Sequence, residues 1–150
     1  MNTDNENLKP LRDQIDRIDS ELLRLLNERA QCAIEIGQIK SEQGGHEDET
    51  IFYRPERVAQ VLDRLKEENS GPLASEDLSV IFREVMSCCL SLEQVVKVSY
   101  LGPRGTFSEA AALKQFGQSV DALPFQSIDE VFRAVESCSV DFGVVPVENS

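Results

Sequence analysis

LKPLRDQIDRIDSELLRLLNERAQCAIEIGQIK, residues 8–40, carries apolar side chains at Leu8, Leu11, Ile15, Ile18, Leu22 and Leu25, then at Cys32, Ile36 and Ile39. The steps alternate between three and four residues, which draws one apolar stripe along an α-helix. Arg29 stands where the next apolar residue is due. The run from Leu8 to about Glu42 predicts a helix of roughly 35 residues and roughly 50 Å. A helix of that length needs a second long element to pair with. A guanidinium on its buried seam also needs an anionic partner.

Downstream, Ser41–Thr50 (SEQGGHEDET) ends the helix with two glycines and a run of acids. His46, the single histidine, falls in this loop with no second ligand or triad partner nearby. A second helix is expected over about 53–69, with Pro55 tolerated in its first turn and Val58, Val61, Leu62 and Leu65 on its apolar face. Asn69-Ser70-Gly71-Pro72 stops it. A third is expected over about 75–95, with Ser75 as its N-cap and Glu76 and Asp77 in its first turn. Its apolar face is Leu78, Ile81, Phe82, Val85, Cys89, Leu92 and Val96. Glu93 falls on that face, where a carboxylate is expensive.

From Val95 the texture changes. Val95–Leu101 (VVKVSYL) reads as a strand, Ser108–Phe116 as a helix and Val120–Phe125 as a strand. Ser127–Ser137 follows as a helix and Phe142–Val147 as a third strand. Strand, helix, strand, helix, strand opens an α/β sheet. Roughly 55 residues do not complete such a domain, which typically needs about 100. The expected fold class is therefore α+β and multidomain, with an all-α three-helix unit over 1–95 and an incomplete α/β unit over 98–150.

The chain has 27 acidic against 15 basic residues, for a formal net charge of −12. That excludes nucleic acid and anionic membrane surfaces as partners. Met1–Glu6 is polar and acidic rather than a signal peptide, and no apolar run approaches the roughly 20 residues of a membrane span. A cytoplasmic location is expected. Cys32, Cys88, Cys89 and Cys138 lack metal-ligand spacing and are read as reduced core or lining residues.

Arg12, Arg29 and Lys40 have a geometry. Arg12 lies roughly 25 Å along the helix axis from Arg29, and Arg29 roughly 16 Å from Lys40. Long side chains close the second gap around a small anion but not the first. If two copies pair antiparallel about Leu22–Leu23, Arg12 of one falls beside Gln31–Ile34 of the other. The spacing thus predicts a dimer with two shared, cation-lined sites, and Arg57 adds a further cation. Singly, each charge also fits a solvated position or an interhelical salt bridge. A dimerising interaction module tethered to an α/β ligand-binding lobe is the competing reading. Arg29 and Glu93 speak against it, because a plain dimerisation helix needs neither.

Several motifs, in order, resemble the all-helical chorismate mutases: Leu11-Arg12, Ile15-Asp16 and Ile18-Asp19; Leu25-Leu26-Asn27-Glu28-Arg29; Ile36-Gly37-Gln38-Ile39-Lys40; Phe52-Tyr53-Arg54-Pro55-Glu56-Arg57; and Phe82-Arg83-Glu84 through Leu92-Glu93-Gln94. Tyr100–Ser108 (YLGPRGTFS) and Val145–Ser150 (VPVENS) are similar to the opening of prephenate dehydratase. In tandem they look like the bifunctional enzymes of bacterial phenylalanine biosynthesis. The resemblance implies an intertwined dimer, a periplasmic-binding-like fold for the second unit, and conversion of chorismate to prephenate with no metal or cofactor. By the match, Arg12 from the partner chain and Arg29 clamp the two substrate carboxylates. Lys40 and a protonated Glu93 donate to the ether oxygen, Arg57 supports the electrostatics, and Cys89 takes the place of a substrate-contacting Ser. Val58 departs from the family, which usually has a Glu there to hold the substrate hydroxyl. Glu148, Asn149 and Ser150 match a motif lining the dehydratase cleft, and N–H groups of the Gly102–Ser108 turn are candidates to meet a carboxylate. The family's catalytic Thr-Arg-Asp motif is not in the sequence, so dehydration of prephenate is not expected of it.

Overall fold

The long amphipathic run folds as one helix, α1 (Thr3–Glu42), in a computed structural model that describes residues 3–42 and 53–148, with side chains from Leu8 onward. His46, Phe52, Asn149 and Ser150 lie outside the described residues. Two shorter helices follow, α2 (Pro55–Glu68) and α3 (Ser75–Glu93), and α3 packs against both α1 and α2. Pro55 occupies the first turn of α2, where its missing N–H costs nothing. The N-cap of α3 is Ala74 rather than Ser75. The Leu78 N–H donates to the Ala74 carbonyl at 3.1 Å, which closes the first helical turn one residue earlier than the side-chain preference suggests.

Among the described residues, most of the apolar stripe of α1 is left exposed. Leu11 (58% exposed), Ile15 (55%), Leu22 (51%) and Ile39 (51%) all face outward. Among the described residues of α1, only Ala33 and Gly37 are buried, both where α3 crosses. The expectation that Arg29 sits on a buried seam therefore holds only in part, since a single chain leaves most of the seam in water.

After α3 the chain builds a parallel three-stranded sheet, ordered β2-β1-β3. Its elements are β1 (Lys97–Leu101), α4 (Phe107–Phe116), β2 (Asp121–Phe125), α5 (Ile128–Glu136) and β3 (Phe142–Val144). β1 lies in the middle, with Val98, Ser99 and Tyr100 fully buried. Register is Val98 opposite Ala122 on one side and Phe142 on the other. Thr106 and Ser127 cap α4 and α5 by accepting the N–H groups of Glu109 and Glu130. β3 ends at Val144 rather than Val147. Pro146, which has no N–H to pair, follows two residues later, and Val147 is 99% exposed.

Two smaller expectations need correction. Cys138 is neither core nor lining: it is exposed, on the turn after α5, with φ of 55°. Cys32 and Cys88 are also exposed in the single chain, and only Cys89 is buried. In the Gly102–Ser108 turn, two of the candidate N–H groups are already engaged within the chain. The Gly105 N–H is already taken by the Glu109 carboxylate, and the Gly102 N–H donates to the Phe125 carbonyl at 2.8 Å.

Candidate functional site

The three helices and the residues leading into α2 line an open cavity of about 400 Å³. α1 contributes Arg29, Cys32, Ala33, Ile36 and Lys40, of which Arg29, Cys32 (or Ala33), Ile36 and Lys40 follow one another at three or four residues and hence share one face. The entry to α2 and its first turns supply Tyr53, Arg54, Arg57, Val58 and Val61, and α3 supplies Met86, Cys89, Leu90 and Glu93. Of the residues singled out from sequence, Arg29, Lys40, Arg57, Cys89 and Glu93 meet here, with Val58 beside them. Arg12 does not line the cavity, and Glu148 is exposed away from it.

Four cations, Arg29, Lys40, Arg54 and Arg57, surround one acid, on a chain whose formal net charge is −12. The cavity thus reverses the sign of the whole molecule and suits a small polyanion. Arg54 was not anticipated. It precedes Pro55 at the mouth of α2, outside any helical repeat, and only its place beside Arg57 hinted at it.

Glu93 is the unusual group. Its side chain is 8% exposed, and Oε2 has no hydrogen-bond partner among the described residues. Lys40 Nζ lies 3.8 Å from that oxygen, an ion-pair distance too long for a hydrogen bond. Burial pushes the Glu93 carboxyl above its ordinary value, against the opposing pull of the Lys40 and Arg29 charges. When Glu93 carries its proton, it and the Lys40 ammonium are two donors side by side. Donors 3.8 Å apart both reach one acceptor placed between them at about 2.9 Å, subtending roughly 80° there. Such a pair is equipped to hold an oxygen on which negative charge grows.

Gly37 sets this arrangement. A Cβ at that position would meet Glu93 Cβ and Cγ at 3.2 Å each. The bare glycine therefore lets the last turn of α3 rest on α1, one helical turn below Lys40. Among the described residues, no group of three or more His, Cys, Asp or Glu is arranged to hold a metal ion.

The sequence profile described as chorismate mutase type II matches residues 11–94, more than half of the chain. The chain belongs to the chorismate mutase type II family. The prephenate dehydratase profile matches residues 98–150. Among similar proteins, a bifunctional chorismate mutase/prephenate dehydratase of Pseudomonas aeruginosa is 52% identical over 147 residues, covering 98% of this chain. One from Stutzerimonas stutzeri is 54% identical over 145 residues, covering 97%. The chain spans about 40% of the length of each. A solved chorismate mutase of Thermus thermophilus superposes with a TM-score of 0.52 at 35% identity, covering 59% of this chain and 94% of that one. The family match thus falls on α1–α3 and their cavity, and the dehydratase match on the sheet. No described helix of this family member is long and apolar enough to cross a membrane.

Proposed function

We propose that the chain is a chorismate mutase, which rearranges chorismate to prephenate in the cavity between α1, α2 and α3. The observation that carries this reading is the buried Glu93 beside Lys40, inside a pocket of four cations on an acidic chain. The reaction is an intramolecular [3,3] shift that breaks a C–O bond while a C–C bond forms. The protein must hold the diaxial chair-like conformer and stabilise charge on the departing ether oxygen. Arg29 grips one substrate carboxylate through its planar fork, with Arg57 and Arg54 adding positive potential. Conformer restriction is a positioning effect. Lys40 and protonated Glu93 donate to the ether oxygen, and Cys89 contacts the substrate from α3.

A second copy completes the site. The exposed α1 stripe supports it, because covering the exposed part of each large side chain contributes about 1 kcal/mol per residue. Antiparallel pairing about Leu22–Leu23 brings Arg12 of one chain between Arg29 and Lys40 of the other, where it clamps the second carboxylate. In this reading residues 1–95 form the mutase domain, and 98–150 form the first part of a dehydratase domain with Glu148, Asn149 and Ser150 in its cleft. The protein works in the cytoplasm, a location that its free cysteines and acidic composition suit.

The test is chorismate consumption and prephenate formation by purified protein, repeated with Lys40→Ala. Loss of this donor is expected to lower kcat by about 10²–10³-fold. No turnover by either protein would overturn the enzymatic reading. Val58, in place of the family's usual Glu, would then favour a mutase fold retained only for dimerisation.

A further inference from the structure

The wall of the cavity formed by the entry to α2 does not rest on the helices alone. Tyr53 lines the cavity, yet it is 6% exposed and belongs to an apolar cluster with Val96, Val98, Ala112 and Phe116. Its ring lies 4.8 Å from Phe116 of α4 and 5.3 Å from Phe142 of β3, and those two rings lie 5.1 Å apart. Its hydroxyl donates to the Gln115 carbonyl at 3.4 Å. Val58 and Leu90, also cavity residues, pack against the same cluster.

The joint between α3 and the end of α4 is equally close. Arg83 donates to the Gln115 carbonyl at 3.0 Å, the Gln118 N–H to Glu84 at 2.9 Å, and the Ser119 N–H to Ser87 Oγ at 3.3 Å. At Gly117 a Cβ would meet Ser87 Cβ at 2.3 Å, so only glycine permits this approach.

We infer that Tyr53 is a positioning residue through which α4 and β3 hold the substrate-binding turn of the mutase. The sheet is part of the mutase scaffold, and Val58 packs against the same cluster. The physical reason is continuity of packing. Tyr53 precedes Arg54 directly and Arg57 by one turn, and its ring and hydroxyl are held by Phe116, Phe142 and the Gln115 carbonyl, all three on α4 or β3. If the ring loses Phe116, the two arginines must be ordered afresh when substrate binds. Lys40 and Glu93 sit on α1 and α3, outside the Tyr53 cluster, and keep their geometry. The signature is therefore a rise in KM with kcat preserved.

This inference rests on the mutase reading, and the experiment separates the two. In the full chain, Phe116→Ala is measured beside Val131→Ala, a fully buried α5 residue that is not in the Tyr53 cluster. Assays run well below the melting temperature of each. Phe116→Ala is expected to raise KM for chorismate about fivefold, as befits long side chains left to be ordered on binding, with kcat within about twofold. Val131→Ala is expected to lower the melting temperature without moving KM. Should Phe116→Ala lose its helical circular dichroism, Phe116→Met keeps the volume, drops the ring contacts and is expected to raise KM about threefold. An unmodified chain that leaves chorismate untouched overturns the mutase reading and this inference with it. An active chain whose Phe116 variant keeps its KM, or whose Val131→Ala raises KM equally, overturns the inference alone.

Discussion

Replacing Gly37 by Ala adds one methyl group at the contact that sets the Lys40–Glu93 pair. The new Cβ would stand 3.2 Å from both Cβ and Cγ of Glu93, with the Glu93 Cα at 3.6 Å. Glu93 must give by a few tenths of an ångström, and because Cβ is one of the crowded atoms, rotating the side chain alone does not relieve it. Two terms decide stability. Gly to Ala inside a helix contributes about 1 kcal/mol, whereas over-packing costs about 1–3 kcal/mol. The net is a loss of about 0–2 kcal/mol, small enough to leave the fold intact. Activity is more sensitive. A displacement of about 1 Å at a reacting centre costs about 10²-fold, so a few tenths here is expected to lower kcat about threefold to tenfold, with KM little changed. Steady-state kinetics on chorismate and a thermal melt monitored at the helical signal are the assays. A variant with unchanged kcat and a stability gain of the full propensity term would refute the reasoning, because α3 would then not be resting on Gly37.

Mutase activity is expected to fall as pH rises, because only protonated Glu93 donates and burial holds its carboxyl above the ordinary value; Glu93→Gln should flatten the profile, and an unchanged profile in that variant would rule out the protonated donor. Stability should follow the same group. Below the ordinary carboxylate pKa both folded and unfolded chains are protonated, and as pH climbs toward the raised native value the unfolded chain releases its proton first, so folding loses free energy. Denaturant titrations across that window should show Glu93→Gln gaining on the unmodified chain with rising pH. Val58→Glu is expected to raise kcat/KM by restoring a hold on the substrate hydroxyl, about 1 kcal/mol or fivefold. It should also lower the melting temperature, since Val58 is half-buried against the Tyr53 cluster; unchanged kcat/KM would mean that the hydroxyl is held elsewhere. Gly117→Ala combines a φ of +87° with a contact of 2.3 Å, and should destabilise by about 2–4 kcal/mol in chemical denaturation.

The residues legible in sequence were those that broke a pattern. Arg29 interrupts the α1 repeat and Glu93 interrupts the apolar face of α3, each visible because a charge on an apolar stripe demands a reason; Lys40 flanks the stripe and was visible through its distance from Arg29. Arg54 was not visible, since it lies at a helix entry where no repeat exists to be broken. Nor was the second role of Tyr53, because its hydroxyl meets the Gln115 carbonyl 62 residues downstream. Local periodicity carries no information about contacts so distant. The departure at Val58 was legible, but the apolar cluster that gives it a use required the fold. The boundaries moved for local reasons: an early first hydrogen bond at Ala74, and a proline that stops β3 short.

At 40 residues and about 60 Å, α1 is far longer than the cavity it serves. On the paired-helix reading, its two ends belong to different sites, so a lesion at Arg12 damages the neighbour's chemistry and one at Arg29 damages its own. Two populations of chain, each inactive through a different one of these changes, would regain activity on mixing. In every mixed pair one site collects both lesions and the other is left whole.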